Sequence, residues 1–499
     1  MPRILLTITA LLSTLVLAAG CGSDSSSSSS SPASLVPAGT LIYAEATLHP
    51  DARQQAAIDS LLAKFPGKGS AGERIRGLLD KAFSDSETGL SYSKDIEPWL
   101  GDTVGAFLSS FPTGSQVNAG AVVATDDEDK ANAAIDKAKG GRDASYEGHD
   151  YRTFDGGSAA VGVVDGWVVI GTPGAFKAAV DTADGGDTLE DDDRYQKALS
   201  DAASDRLGFL YLDLRGFAKQ LQGSGASLGP FADVLKDPLV ATVKVKEQGV
   251  LLESKLPKSF SSAIPFLDEG GKSIGEVPAQ SWLALSVPNL GDTLQQALSV
   301  FTAKAGGAGA ITKQLEAATG LDLEKDVLSW MGDASLWVSG TSVPTLNGAL
   351  VVETKDEAAS KRFIDKVAAL VSKSAHVTRR PGGYKVVVSG LPQPLQLFQS
   401  EGKVVLAYSD VAAWQVLHPQ GRLGDTQEYR DAVEMLGGDY RLSLYVSFPE
   451  IIDLVDTTGA RDDETWLKIK PYLEPLGVIV AGGKREGDDV RSAFGVTVP

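Results

Sequence analysis

At 499 residues the chain is too long for one ordinary core, and about 150 residues per domain predicts two to four domains. Its composition is globular, 43% hydrophobic and 22% charged, but the formal net charge is −19, a field that repels phosphate backbones and argues against nucleic acid as a partner. A single cysteine, Cys21, excludes an intramolecular disulfide and a cysteine-based zinc site.

Residues 1–20 read as an export signal. Arg3 supplies a short positive region, and Ile4 to Leu17 is apolar apart from Thr7, Thr9, Ser13 and Thr14. That stretch is too short, with these flanks, to span about 30 Å of hydrocarbon. Ala18-Ala19-Gly20-Cys21 closes it and resembles a bacterial lipobox, although Ala18 stands where such motifs usually carry Leu. The resemblance implies that Cys21 is lipidated and becomes the new N-terminus, holding the protein to a membrane. Residues 21–35 (CGSDSSSSSSSPASL), serine-rich after Cys21, then form a tether, because that composition cannot bury a core.

Two copies of one domain are expected next, at 36–256 and 277–499, joined by a Gly/Ser/Lys/Pro linker at 257–276. Val36-Pro37-Ala38 opens the first and Val277-Pro278-Ala279 the second. The strongest sign of duplication is Thr88 to Asp102, TGLSYSKDIEPWLGD, repeated as TGLDLEKDVLSWMGD from Thr319 to Asp333. At a constant offset of 231 positions, eight of the fifteen residues are identical. Asp95 and Asp326 are the expected helix N-caps. Ile96, Trp99 and Leu100, with Val327, Trp330 and Met331, give one apolar face. Gly101 and Gly332 are the expected left-handed helix stops, leading into strands. Trp99 and Trp330 then read as core anchors, and Asp102 and Asp333 as turn-closing carboxylates, in preference to a ligand platform beside an acid.

The remaining elements run in parallel in the two copies. A strand is expected at Leu41–Ala46 and again at Trp282–Val287. Buried strands at Ala119–Ala124 and Ala349–Val352 precede helices at Glu128–Lys139 and Glu357–Val371, with Ile-Asp-Lys at 135–137 and 364–366 fixing the register. Strand-rich segments follow. Two-residue turns are expected at Asp165-Gly166 and Glu401-Gly402. Because neighbouring strands are joined by short turns, the expected fold class is α+β: two tandem homologous domains, each a mainly antiparallel sheet with helices packed on one face.

This layout, a Val-Pro-Ala opening, a strand, the Trp-Gly-Asp segment and an Ile-Asp-Lys helix on an exported chain, resembles the bacterial exported or lipoprotein family known as domain of unknown function 3352. The resemblance runs from about residue 35 to 499. It implies no activity, so it supplies no catalytic residues.

Motifs that would carry chemistry fail on context. Gly67 to Gly72 spells G-x-G-x-x-G but follows a helix, whereas a dinucleotide site needs a strand there. Gly271-Lys272-Ser273 has Phe266 where a phosphate loop needs its first glycine. Ser91 to Lys94 fits S-x-x-K, but its repeat has no serine. The four histidines lack ligand spacing. The acidic runs 126–129 and 190–193 lack the spacing of a calcium loop and suit helix starts instead. No catalytic residue, no metal site and no cofactor is therefore expected. The expected function is a lipid-anchored binding or scaffolding module of the cell envelope, exported to the outer face of the cytoplasmic membrane or elsewhere in the envelope. Its expected partners are the membrane and an envelope protein or apolar ligand. The alternatives are a carrier for an apolar ligand or lipid, and a hydrolase with a dispersed site.

Overall fold

The computed structural model describes residues 31–67, 69–86, 88–110, 117–202, 205–223, 235–256, 272–295, 298, 308–487 and 489–499. The export signal, Cys21, most of the tether and residues 257–271 of the expected linker lie outside them. The chain divides into two units, residues 1–255 and 256–499.

The first unit contains β1 (Ile42–Thr47), β2 (Leu100–Ser110), β3 (Asn118–Thr125), β4 (Arg142–Tyr146), β5 (His149–Phe154), β6 (Ala159–Val164), β7 (Trp167–Gly171), β8 (Gly208–Leu212), β9 (Leu239–Lys246) and β10 (Gly249–Leu256). They pair antiparallel throughout, in the order β10-β9-β8-β1-β2-β3-β7-β6-β5-β4. The second unit contains β11 (Ser281–Val287), β12 (Met331–Ser339), β13 (Asn347–Thr354), β14 (His376–Arg380), β15 (Gly383–Val387), β16 (Leu395–Ser400), β17 (Lys403–Tyr408), β18 (Arg441–Ser447), β19 (Val478–Glu486) and β20 (Asp489–Thr497). Within it the order is β20-β19-β18-β11-β12-β13-β17-β16-β15-β14, strand for strand the order of the first unit.

The fold class is α+β, with antiparallel sheets. The helices, however, cover both faces of the sheet rather than one. Val122 and Val123 are successive residues of β3 and therefore point to opposite faces. Val122 packs in a cluster with Val169, Ala175 and Phe176 under the helix Pro173–Ala183. Val123 packs with Val168, Trp99, Ala131 and Ala134 under the helix Glu128–Lys137. The second unit repeats the division. Val404 joins Trp330, Val352 and Ile364 on one face, while its neighbour Val405 is buried on the other, where the helix Asp410–Leu417 lies against β13, β16 and β17. The reason is visible in β6 and β7: Val161, Val163 and Val164, then Trp167 to Ile170, are apolar without alternation, so neither face is left for water.

Local chemistry sets the joints. Asp165 and Gly166 both take positive φ (46° and 82°), the mirror-image turn that matches strand twist, and Glu401-Gly402 does the same between β16 and β17. Glu147-Gly148 forms a third such turn, between β4 and β5. Asp127 and Asp192, from the two acidic runs, are helix N-caps: Asp127 accepts from Lys130 N–H, and Asp192 from the N–H groups of Arg194 and Tyr195. The Val-Pro openings dock alike. Leu189 N–H donates to Val36 O at 2.7 Å in the first unit, and Leu423 N–H to Val277 O at 2.8 Å in the second.

Candidate functional site

The repeated motif folds the same way in both units, but not as one regular helix. Tyr92–Ile96 is a wide, π-type turn followed by a tight turn at Glu97–Trp99, and Leu323–Leu328 is the corresponding wide turn. Asp95 and Asp326 are not N-caps. Those positions belong to Ser91 and Asp322, one turn earlier. Each aspartate instead reaches back: Asp95 Oδ2 accepts from Ser91 N–H and Asp326 Oδ2 from Asp322 N–H, both at 2.9 Å. The side chain closes the turn from its C-terminal side, the role an acid takes in the second half of a capping box.

A lysine from the following helix completes each node. Lys137 Nζ lies 2.6 Å from Asp95 Oδ1, and Lys366 Nζ 2.6 Å from Asp326 Oδ2. These are the lysines of the two Ile-Asp-Lys triplets. The Lys137 ammonium and the Ser91 N–H hold the Asp95 carboxyl below its ordinary range, as Lys366 and the Asp322 N–H do for Asp326. The tryptophans turn their indole N–H inward along the same segment: Trp99 Nε1 donates to Asp95 O at 2.7 Å and Trp330 Nε1 to Asp326 O at 3.0 Å. Both rings are buried. Backbone bonds then clip each tryptophan to the sheet, Asp126 N–H to Trp99 O and Lys355 N–H to Trp330 O.

Gly101 and Gly332 do not stop a helix. They lie in β2 and β12 with φ outside the left-handed region. What they provide is room. A Cβ on Gly101 would meet Ala124 Cβ at 2.8 Å, and one on Gly332 would meet Glu353 O at 3.0 Å. The left-handed glycines of the motif are Gly89 and Gly320, at φ 72° and 70°. Asp102 and Asp333 each tie the start of their strand to the segment after the unit's first strand, with different partners. Asp102 Oδ1 lies 3.0 Å from His49 Nδ1, and Asp333 Oδ1 accepts from Asn289 N–H at 2.8 Å.

The other motifs resolve as structure. Ser91 and Ser93 both donate their hydroxyls to Asp80 Oδ1 at 3.0 Å. At the end of the G-x-G-x-x-G stretch, Ser70 and the following Glu73 form a capping box on the helix Ala71–Ser84. The Arg74 guanidinium fills the space beside Gly67 and donates to Leu62 O and Pro66 O. A phosphate would have to displace that cation's bonds. Sequence reasoning missed Lys137 and Lys366 as partners of the repeated aspartates. The signal was available, since both lysines recur at nearly the same distance beyond the aspartates, 42 and 40 residues. It also missed Arg152, whose guanidinium donates to Ile135 O, Asp136 O, Ala138 O and Gly141 O at the end of the helix Glu128–Lys137, where a cation offsets the dipole.

The sequence model of the family described as "Protein of unknown function (DUF3352)" matches residues 4–453. No curated protein matches the sequence. Solved structures similar to the chain include crystal forms III, IV and I of TP0453, at 12%, 11% and 13% identity. Each covers 46% of this chain and 81%, 81% and 79% of its own, with TM-scores of 0.27, 0.27 and 0.26. Likeness at that level carries no argument.

Proposed function

The chain belongs to this family of proteins of unknown function, DUF3352, and from that premise we propose a lipid-anchored cell-envelope protein that binds or scaffolds and does not catalyse. The observation that carries the reading is how the repeated polar groups are spent. In both units the aspartate, the lysine and the indole N–H of the repeat bond to one another or to nearby backbone. A carboxylate so engaged is a poor base or nucleophile, and the repeat is best understood as framework. The recognition surface then belongs to what differs between the units.

Two further parts of the reading rest on sequence and topology. Identical strand order and the repeated node favour a duplicated domain, with residues 36–256 and 277–499 as the copies. The apolar segment Ile4–Leu17 closing on Ala-Ala-Gly-Cys favours acylation of Cys21 and attachment at the outer face of the cytoplasmic membrane or elsewhere in the envelope. The carrier alternative needs a free apolar interior. In the first unit Tyr195 packs edge-on against Tyr43, Phe209 and Tyr211 at centroid distances of 5.4 to 6.0 Å, which weighs against it.

The test is mass spectrometry of the protein extracted from a native membrane fraction. An N-terminal peptide beginning at an acylated Cys21 is the expected result. A full-length chain whose mature N-terminus begins elsewhere, without acyl groups, would overturn the anchor. Crosslinking in the same fraction should then recover a partner through surface residues that differ between the two units.

A further inference from the structure

We propose that one end of the second unit's sheet is a bilayer-docking surface built around Trp414. The helix Asp410–Leu417 buries Ala412 and Ala413 against the sheet and turns Val411, Trp414 and Leu417 to solvent, at 52%, 47% and 47% exposure. A helix on a sheet ordinarily hides its large apolar residues; here three stand on one outward stripe, and Trp414 stacks only on the neighbouring His418 ring, at 5.3 Å, which leaves about half of the indole in water.

The neighbouring loops extend the stripe into a patch. The helix begins where β17 ends, and Tyr408 of β17 pairs with Gly348 of β13 and Leu395 of β16. The segments entering those strands therefore meet the helix start at the same end of the sheet: Ser409 N–H donates to Pro394 O, Ser409 Oγ to Asn347 Oδ1, and Gln393 Nε2 to Pro344 O. These loops place Val343 and Leu391 at that end, also exposed. Across residues 341–347, 387–394 and 409–418 the only formal charge at neutral pH is Asp410, and Lys385 pairs with it at 2.7 Å. On a chain of net charge −19 this is an uncharged island.

The fold does not demand it. In the first unit the helix Pro173–Ala183 starts from the N-cap Thr172 as its counterpart starts from Ser409. Counting from those caps, the positions of Val411 and Trp414 hold Gly174 and Lys177, and that of Leu417 holds Val180, which is buried. One framework thus carries an ordinary polar surface in one unit and an aromatic-aliphatic one in the other.

The chemistry identifies a lipid surface as the occupant. Tryptophan flanked by aliphatic residues is the side-chain set that settles at the headgroup boundary. The lack of charge suits a surface that an acidic protein can approach only through a neutral face. A chain fixed to a bilayer through Cys21 meets that bilayer at high effective concentration, so weak docking suffices; this last step rests on the lipid-anchor reading, and the docking chemistry does not.

The experiment uses the chain from residue 22 onward, which keeps every described residue and lacks the acylation site, in flotation with neutral phosphatidylcholine vesicles. The parent should float with the vesicles, with little effect of added salt. The double variant Val411→Ser, Trp414→Lys should bind at least tenfold more weakly, with unchanged melting temperature and near-ultraviolet circular dichroism. Leu78→Ser, removing an exposed apolar residue of the first unit, should bind as the parent does. Failure of the parent to float, or equal flotation of parent and double variant, overturns the proposal. So does a parent that self-associates without floating and becomes monomeric in the double variant, since the face would then belong to a second copy. Acylated Cys21 in native membranes with no flotation of the truncated chain would sink the docking surface alone. Flotation with an unacylated Cys21 would sink the anchor alone.

Discussion

At the scale of single residues, the best-defined feature is the aspartate that closes the wide turn and holds a lysine from the next helix. Asp95 accepts from Ser91 N–H and from Lys137, and its carboxyl is held below the ordinary range by the Lys137 contact first and the backbone bond second. A depressed value in the folded state means that the carboxylate stabilises the fold above the unfolded value, about pH 4, and that this contribution disappears as pH falls through the folded value. Asp95→Asn keeps the shape and loses the charge. The expected cost near pH 7 is about 1 kcal/mol, because Lys137 is half exposed and water screens the pair. The difference between parent and variant in urea midpoints should shrink as pH drops below about 4. A gap that stays constant down to pH 2 would show that Asp95 acts by packing alone. Gly101 teaches the converse lesson: its repetition in the sequence reflects a close approach to Ala124 and not a helix stop.

At the scale of elements, turns and caps follow from a few adjacent residues. The β6–β7 hairpin turns on Asp165-Gly166, both with positive φ. Gly166→Ala places a Cβ in a conformation that costs an L-residue about 1 kcal/mol. The expected result is a loss of that size in denaturant-measured stability, with secondary structure unchanged. No loss would mean the turn is free to adopt another form. Strands and helices were legible in the sequence for the same local reason: period-2 and period-3.6 patterns report which residues a strand or helix can bury together. One element that escaped is β14 (HVTRR), short and polar, whose residues are nearly all exposed and carry no apolar alternation. The helices Leu214–Gly223 and Phe448–Thr457 are hard to separate in the sequence because each follows its strand within one residue, so the apolar run of the strand continues into the helix.

At the scale of the whole molecule, each unit carries its own apolar clusters, with Trp99 in one and Trp330 in another. Trp99→Ala and Trp330→Ala should each cost about 3–5 kcal/mol, since each removes a buried ring and leaves its cavity. Their combined effect should be additive to within about 0.5 kcal/mol, as for sites that share no partner. A large coupling energy in the double variant would mean that the two clusters report on one interior.

The sequence by itself determined what depends on neighbours along the chain: the strand and helix periods, the mirror-image turns, the acidic helix starts at Asp127 and Asp192 and the repeated fifteen-residue motif. Only the tertiary structure decided that Asp95 answers to Lys137, 42 residues away, that Gly101 yields space to Ala124, that helices lie on both faces of the sheet, and that Trp414 is left facing water. The physical reason is range. Backbone preference is settled within a turn or two, whereas a side chain's partner depends on strand register between segments that the sequence holds far apart.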